Sequence, residues 1–240
     1  MKKWIIAAVV ILAIIGAGAY VVMERLDIIV KVALEYFGPG VTGTEVRVGD
    51  VEISPRSGRG RLRNLEIGNP QGFSAVRAAR FNDVILEVDA ATLRSPIVHV
   101  NAIGIEAPVI VYERGGKATN LEVIASNMEA YAKSSEEKTA ASSAGITTKR
   151  KYIIDRLLIR GGKVTMTSAS LRGQGVTFDL PDIELRDIGK RQGGVTASQA
   201  AAVVASTLQQ KIALRVLTNI DALRRGGLEG AIDALKGLVK

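Results

Sequence analysis

An alternation of apolar and polar residues that slips by one position is the feature of this sequence that most constrains its fold. Val46 and Val48 fall on even positions, whereas Val51 and Ile53 fall on odd ones. The same unit, apolar-x-apolar-x-x-apolar-x-apolar, returns twice, the last copy 54 residues after the one before it. The later copies are Val98, Val100, Ile103 and Ile105, and then Tyr152, Ile154, Leu157 and Ile159.

One residue inserted into an alternating strand turns the following apolar side chains to the opposite face, unless a β-bulge or bend absorbs it. Because the insertion falls at the same point of each unit, it predicts the same bend in each strand. We therefore expect an α+β fold in which long, bent, mostly antiparallel strands stack into one curved sheet. Coincidence among short β-rich segments is the alternative interpretation.

The beginning of the chain predicts a membrane anchor. Residues 5–23 carry no charge, follow Lys2 and Lys3, and are framed by Trp4 and Tyr20. At about 1.5 Å per residue such a helix is roughly 28 Å long, close to the hydrocarbon thickness of a bilayer. The alternative is a cleaved signal peptide, since residues 17–19 form a small-x-small site, but the apolar run continues beyond that site.

Charge predicts the orientation of the anchor and the class of partner. Lys2 and Lys3 favour a cytoplasmic N-terminus, so the remaining chain is expected to be translocated. This expectation argues against nucleic acid as a partner, although the net charge of +8 favours anionic groups in general. Four arginines are candidate contacts for anionic lipid headgroups, or else belong to a solvated loop flanked by glycines. They are Arg56, Arg59, Arg61 and Arg63.

Composition shifts along the chain predict three regions. Residues 1–37 form the anchor with an amphipathic helical extension that ends at Gly38-Pro39-Gly40. Residues 38–195 form the curved sheet, with a short helix at 72–80 and a polar loop at 133–150, and residues 196–240 form amphipathic helices. Paired glycines at 115–116 and 161–162, each followed by lysine, predict hairpin turns within the sheet region.

A long C-terminal helix is expected to cover the sheet. Thr119 with Glu122 and Thr196 with Gln199 have the spacing of capping boxes. The second box begins a helix over Ala197–Arg225 of about 43 Å, and nine or ten stacked strands would give a sheet about 45 Å long. We predict that the helix lies along the concave face as a lid or plug. Its apolar stripe is Val204, Leu208, Ile212, Val216 and Ile220.

Catalytic chemistry has little support in this sequence. The chain has no cysteine, and His99 is its single histidine, so a His/Cys metal cluster cannot form. Glu87 and Asp89 share a strand face, as the two carboxylates of a glycosidase would need, but solvent-facing strand residues explain them more simply. We therefore predict a protein that is not an enzyme, with no catalytic, metal-binding or cofactor-binding residues.

The arrangement resembles the AsmA-like family of bacterial envelope proteins, in a short form with a single anchor. The matching motifs lie in roughly residues 1–125 and 151–196. They include VDAATLRSPIVHVNAIGIEAPVIVYE and LPDIELRDIGKRQGGVT. The resemblance implies an inner-membrane protein with a β-groove domain in the periplasm, involved in lipid handling and outer-membrane maintenance. Large family members look like phospholipid bridges between the two membranes, a role for which this chain is short.

Two classes of function follow. In the first, the protein is an envelope factor that binds membrane phospholipid on an apolar concave face. In the second, it is a scaffold or assembly subunit that oligomerises, or docks on a larger envelope protein, through its sheet edges. An open apolar groove favours the first class, and a groove filled by the protein's own helix favours the second.

Overall fold

One curled sheet and three α-helices make up residues 25–141, 150–168 and 175–225, the part of the chain that the computed structural model describes. The ten strands form a single, mostly antiparallel sheet that curls into about half a barrel. The α+β class and the curved sheet are therefore confirmed. The anchor predicted at residues 5–23 lies outside the described residues, and none of the described helices is long and apolar enough to cross a bilayer.

The elements follow one another in this order. The helices are α1 (Leu26–Thr42), α2 (Asn120–Ala141) and α3 (Ala197–Arg225). The strands are β1 (Val46–Ser54), β2 (Arg59–Gly68), β3 (Arg77–Val88), β4 (Ile97–Glu106), β5 (Val109–Gly115), β6 (Ala118–Thr119), β7 (Lys151–Arg160), β8 (Gly162–Ser168), β9 (Gly175–Leu180) and β10 (Ile183–Ile188). Two short 3₁₀ turns span Ala90–Arg94 and Lys190–Gln192.

Several strands are halves of one longer path. β4 and β5 run end to end along β3, and β7 and β8 run end to end beside them. Each paired residue of the path β4–β5 lies opposite the residue 54 positions later, from Ile97 with Lys151 to Arg114 with Ser168. This parallel register places the second and third copies of the slipped unit side by side.

The slips of the pattern coincide with interruptions of the hydrogen-bonded ladders. Between β1 and β2 the pairing omits Gly49 and Asn64, and between β3 and β4 the register shifts at Asn101. Three described residues other than glycine have positive φ, and all lie at such bends or joints: Asn64 at 51°, Ala107 at 46° and Asp187 at 55°. The slips are therefore confirmed as irregular points of the sheet: a register shift absorbs one residue between β3 and β4, whereas the β1–β2 register continues unchanged across Gly49 and Asn64.

The sheet is narrower than the sequence predicted. Because β4–β5, β7–β8 and β9–β10 are each one path, the strands occupy six positions across the sheet, beginning with β1, β2 and β3. At about 4.8 Å per position the width is roughly 29 Å, so the expected 45 Å is wrong. The glycine turns explain part of this error. Gly116 lies in a β5–β6 hairpin, as predicted. Gly161, at φ 60°, instead joins β7 to β8 without reversing the chain, so the two strands share one position across the sheet.

Helix α1 covers the outer edge of β1. The carboxylates of Asp27 and Glu35 accept hydrogen bonds from the backbone N–H groups of Ile53 and Val48, at 2.8 and 3.0 Å. The ammonium of Lys31 donates to the carbonyl of Gly49 at 2.8 Å. These three side chains occupy backbone groups that an edge strand otherwise offers to another chain.

The end of α1 lies beyond the predicted stop at Gly38-Pro39-Gly40. Gly38 packs against Val46 so closely that a Cβ would lie 2.8 Å from the valine side chain, and the helix continues to Thr42. Gly43, at φ 73°, then ends it and donates to the carbonyl of Pro39. The apolar side chains of Ile29 and Phe37 on this helix are exposed.

Two other local predictions are also wrong. Residues 72–80 do not form a helix: β3 begins at Arg77, whose guanidinium reaches Glu66 of the neighbouring strand. Residues 133–141, expected to belong to a polar loop, are helical instead, because α2 continues to Ala141. In both segments tertiary contacts or helix propagation override the local composition.

The left-handed conformation of Ala107 gives a direct test of the strand joints. Ala107 is exposed, so a larger side chain has room, and only the backbone conformation opposes it. We expect Ala107→Val to lower the free energy of unfolding by about 1–2 kcal/mol, because β-branched residues avoid positive φ. Ala107→Gly is the matched control and should leave stability unchanged or raised. Equal stability of both variants in urea denaturation would contradict the assignment.

Candidate functional site

An apolar cavity of about 580 Å³ lies between the concave face of the sheet and helices α2 and α3. The sheet contributes large side chains to its walls, and the helices close it from the other side. Representative wall residues are Phe81, Leu86, Val100 and Leu157 from the sheet, and Ile124 and Leu208 from the helices. The cavity is partly open to solvent, so a ligand has a way in.

Helix α3 begins where its capping box predicted and lies over the sheet. Thr196 and Gln199 exchange hydrogen bonds, N–H to Oε1 at 2.7 Å and N–H to Oγ1 at 3.2 Å. Of the predicted stripe, Val204, Leu208 and Ile212 line the cavity, and Val216 is buried in the core beside it. The side chain of Ile220 lies outside the described residues.

Small residues keep the cavity open. The face of α3 that looks into it carries four alanines beside Val204, Leu208 and Ile212, whereas the facing sheet carries mostly full-sized apolar residues. These alanines are Ala197, Ala200, Ala201 and Ala205. The alanine-rich run of 197–205 is the sequence signal that could have indicated a space under this helix.

Helix α2 forms a second cover over the groove, which its sequence pattern alone did not indicate. Its capping box is present, with the N–H of Thr119 donating to Glu122 at 2.8 Å. Leu121, Ile124 and Met128 then face the cavity. The helix pair therefore covers the concave face without filling it.

A buried carboxylate fixes the start of α2 and the loop between β2 and β3. Glu113 on β5 is 1% exposed and accepts hydrogen bonds at 2.5–2.9 Å from the backbone and hydroxyl of Ser74, the backbone of Ala75 and the amide of Asn69. The buried Asn120 accepts from the backbone N–H of Glu113 and donates to Asn69. Burial acts to raise the pKa of Glu113, but the hydrogen bonds outweigh it and the pKa is lowered.

The predicted arginine cluster is divided into two pairs. Arg61 forms a two-pronged ion pair with Asp83 at 2.6 and 2.7 Å, and its hydrogen bond lowers the pKa of that carboxyl. Arg63 contacts Asp50 at 2.9 Å and Glu52 at 2.7 Å. Arg56 and Arg59 are exposed and make no ion pair with a described residue.

The end of the sheet that carries the β1–β2 turn is basic, and we call it the hairpin end. The turn, the end of β3, the starts of β4 and β7 and the start of α1 all meet there. Six exposed basic residues lie at this end without an ion pair to any residue that the structure describes. They are Arg25, Arg56, Arg59, Arg94, Arg150 and Lys151.

Arg150 also lines the cavity. Leu93 and Tyr152, which lie at or next to the hairpin end, line the wall as well, so the cavity extends to this end. Apart from Gln209, whose amide lies 3.4 Å from Glu122, the other wall residues are apolar or aromatic. The arrangement can hold an apolar chain beside a single guanidinium group.

The fold and the cavity together define a class of protein in which a curled sheet and two helices enclose an apolar space. The chain matches no known protein-family profile and no curated protein.

Within the described ranges, no group of three or more histidine, aspartate or glutamate side chains could hold a metal ion. Asp89, one of the two carboxylates considered for catalysis, accepts from the backbone of Ala91 and caps a 3₁₀ turn.

The Glu113 network predicts a pH-dependent contribution to stability. Glu113→Gln should lower the free energy of unfolding at pH 7 by about 2 kcal/mol, because hydrogen bonds to a charged acceptor are lost. Because the pKa of Glu113 is lowered in the folded state, its charged form stabilises the fold at every pH above the unfolded-state pKa of about 4.3. This stabilisation is lost as the pH falls through the folded-state pKa. The difference between wild type and variant should therefore shrink at acid pH. Glu106→Gln, on a neighbouring strand, is the control, and a pH-independent difference would contradict the assignment.

The division of the arginine cluster predicts different effects of the two pairs on membrane binding. Replacing Arg56 and Arg59 by Gln should weaken co-sedimentation with phosphatidylglycerol vesicles about thirtyfold, since each basic residue near an anionic surface contributes about 1 kcal/mol. Replacing Arg61 and Arg63 by Gln should change vesicle binding much less, because their charges are already paired. Equal losses of vesicle binding in the two double variants would contradict the prediction that ion pairing keeps Arg61 and Arg63 from contributing to membrane binding.

Proposed function

We propose that this protein is a non-catalytic, membrane-anchored lipid-handling protein that holds an acyl chain in the cavity beneath α2 and α3. The cavity is the single observation that carries the proposal. Its volume lies within the range of about 300–1,000 Å³ that is usual for small-molecule sites. Each methylene group moved from water into such walls gains about 0.8 kcal/mol, so a long chain would bind well.

The basic hairpin end supports a position against a membrane. The chain enters α1 at this end, directly after the apolar residues 5–23. The outer face of α1 is also apolar: Ile28, Ile29, Val32, Tyr36 and Phe37 are 47–76% exposed. Such a face beside six basic side chains fits an anionic bilayer surface. We place the anchor in the bacterial inner membrane and the sheet in the periplasm, as the AsmA-like resemblance implies.

The width of the sheet bears on the range of the proposed activity. A sheet of roughly 29 Å is narrower than one bilayer with its headgroups, about 40–45 Å. A single copy therefore does not span the space between two membranes. We propose that it takes up or presents lipid at one membrane, as a local factor in outer-membrane maintenance, with membrane phospholipid as the source of the chain.

A scaffold or assembly subunit that oligomerises or joins a larger envelope partner is the alternative. One observation favours it: the outer edge of β9–β10 has no strand partner among the described residues. The opposite edge argues against it, because α1 side chains occupy the outer backbone groups of β1. Helix α3 covers the groove but leaves space beneath it, which favours lipid handling.

Filling the cavity from α3 tests the lipid-handling proposal. The double change Ala201→Phe and Ala205→Phe should reduce binding of an apolar fluorescent dye at least tenfold, because two phenyl rings would occupy the space. Val203→Phe is the matched control, since Val203 is 46% exposed on the same helix and should leave dye binding unchanged. Undiminished binding by the folded double variant, with folding checked by its melting temperature, would overturn the proposal.

A further inference from the structure

We propose that the cavity selects amphiphiles with one acyl chain and an anionic head, and that Arg150 binds the head. The inference rests on the proposed function and adds the class of ligand to it. Two features of the cavity carry it: its limited volume and the guanidinium of Arg150, the only cationic side chain among the described residues of its wall.

The volume fits one chain. If a methylene group is given the ~30 Å³ that a water molecule occupies in the liquid, the 580 Å³ cavity accommodates about nineteen methylenes. That number corresponds to one long acyl chain. The two chains of a diacyl phospholipid require about twice this space, so one of them would remain outside, in contact with water or membrane.

Arg150 lies where a headgroup would emerge from the cavity. The backbone of Lys151 donates to the carbonyl of Pro96 at 2.9 Å, which fixes the start of β7 beside β4. Arg150 is exposed, lines the cavity and makes neither a hydrogen bond nor an ion pair with a described residue. An arginine stem can lie along an apolar wall while its guanidinium stays in water.

The chemistry of the guanidinium defines the head. Its planar fork matches the paired oxygens of a carboxylate or a phosphate and can donate two parallel hydrogen bonds. Arg94 and Lys151 are exposed at the same end and add to the positive potential there. Both a fatty acid and a lysophospholipid with an anionic phosphate satisfy this requirement, and a head without charge does not.

Competition against the apolar dye tests the ligand class. The full chain, solubilised in an amphipathic polymer, is titrated with palmitate, lysophosphatidylglycerol, uncharged monopalmitoylglycerol and dipalmitoyl phosphatidylglycerol. We expect one or both of the single-chain anions to displace the dye at least tenfold more tightly than the uncharged lipid and the diacyl lipid. The stronger of the two anions identifies whether carboxylate or phosphate is preferred.

Variants separate the role of Arg150 from that of the cavity. Arg150→Gln should remove the preference for anions, and Arg150→Lys should retain part of it. Arg156→Gln is the control that should keep the preference, because Arg156 is exposed on β7 and does not line the cavity. An unchanged preference in Arg150→Gln, or equal binding of diacyl and single-chain lipid, would overturn this inference while leaving the proposed function standing. Dye binding that survives Ala201→Phe with Ala205→Phe would instead overturn the proposed function.

Discussion

The alignment of strand bends is the constraint on which the rest of this structure depends. β4–β5 and β7–β8 pair in parallel with a constant offset of 54 residues. The extra residues of their slipped units therefore lie side by side in neighbouring strands. Because the bends are in register, the sheet curls as a unit instead of breaking. The apolar concave face of a curled sheet must be covered, because a large exposed apolar patch favours association with other molecules. Helices α2 and α3 supply the cover.

The cover is incomplete because of its side chains. Alanines face the sheet over the first turns of α3, whereas the buried Ile212 and Val216 close the contact further along the helix. Glu113 and Asn120 hold the start of α2 through buried hydrogen bonds, so the second helix does not simply collapse into the space. The resulting cavity follows from the order of small and large residues along α3 and from a polar network at the base of α2.

Local patterns in the sequence predicted the features that depend on a few neighbouring residues. The slipped alternation predicted the bends, and the two capping boxes predicted where α2 and α3 begin. Features that depend on distant partners could not be read in this way. The conformation of Gly161 suits either a turn or a joint, and only its pairing beside β4–β5 makes it a joint. Arg61 and Arg63 resembled free charges because their partners, Asp83, Asp50 and Glu52, are set by strand register. The cavity depends on the distance between helix and sheet, and the alanine-rich run at the start of α3 is its only local signal in the part of the chain that the structure describes.

The central claim is that the space beneath α2 and α3 holds an acyl chain, and the most direct measurement is the lipid content of the protein itself. The full chain and its Ala201→Phe, Ala205→Phe variant would be purified from membranes in parallel, and their organic extracts compared by mass spectrometry. The account predicts about one single-chain anionic amphiphile per wild-type protein and a large reduction of that species in the variant. The same lipids in the same amounts on both proteins would contradict it.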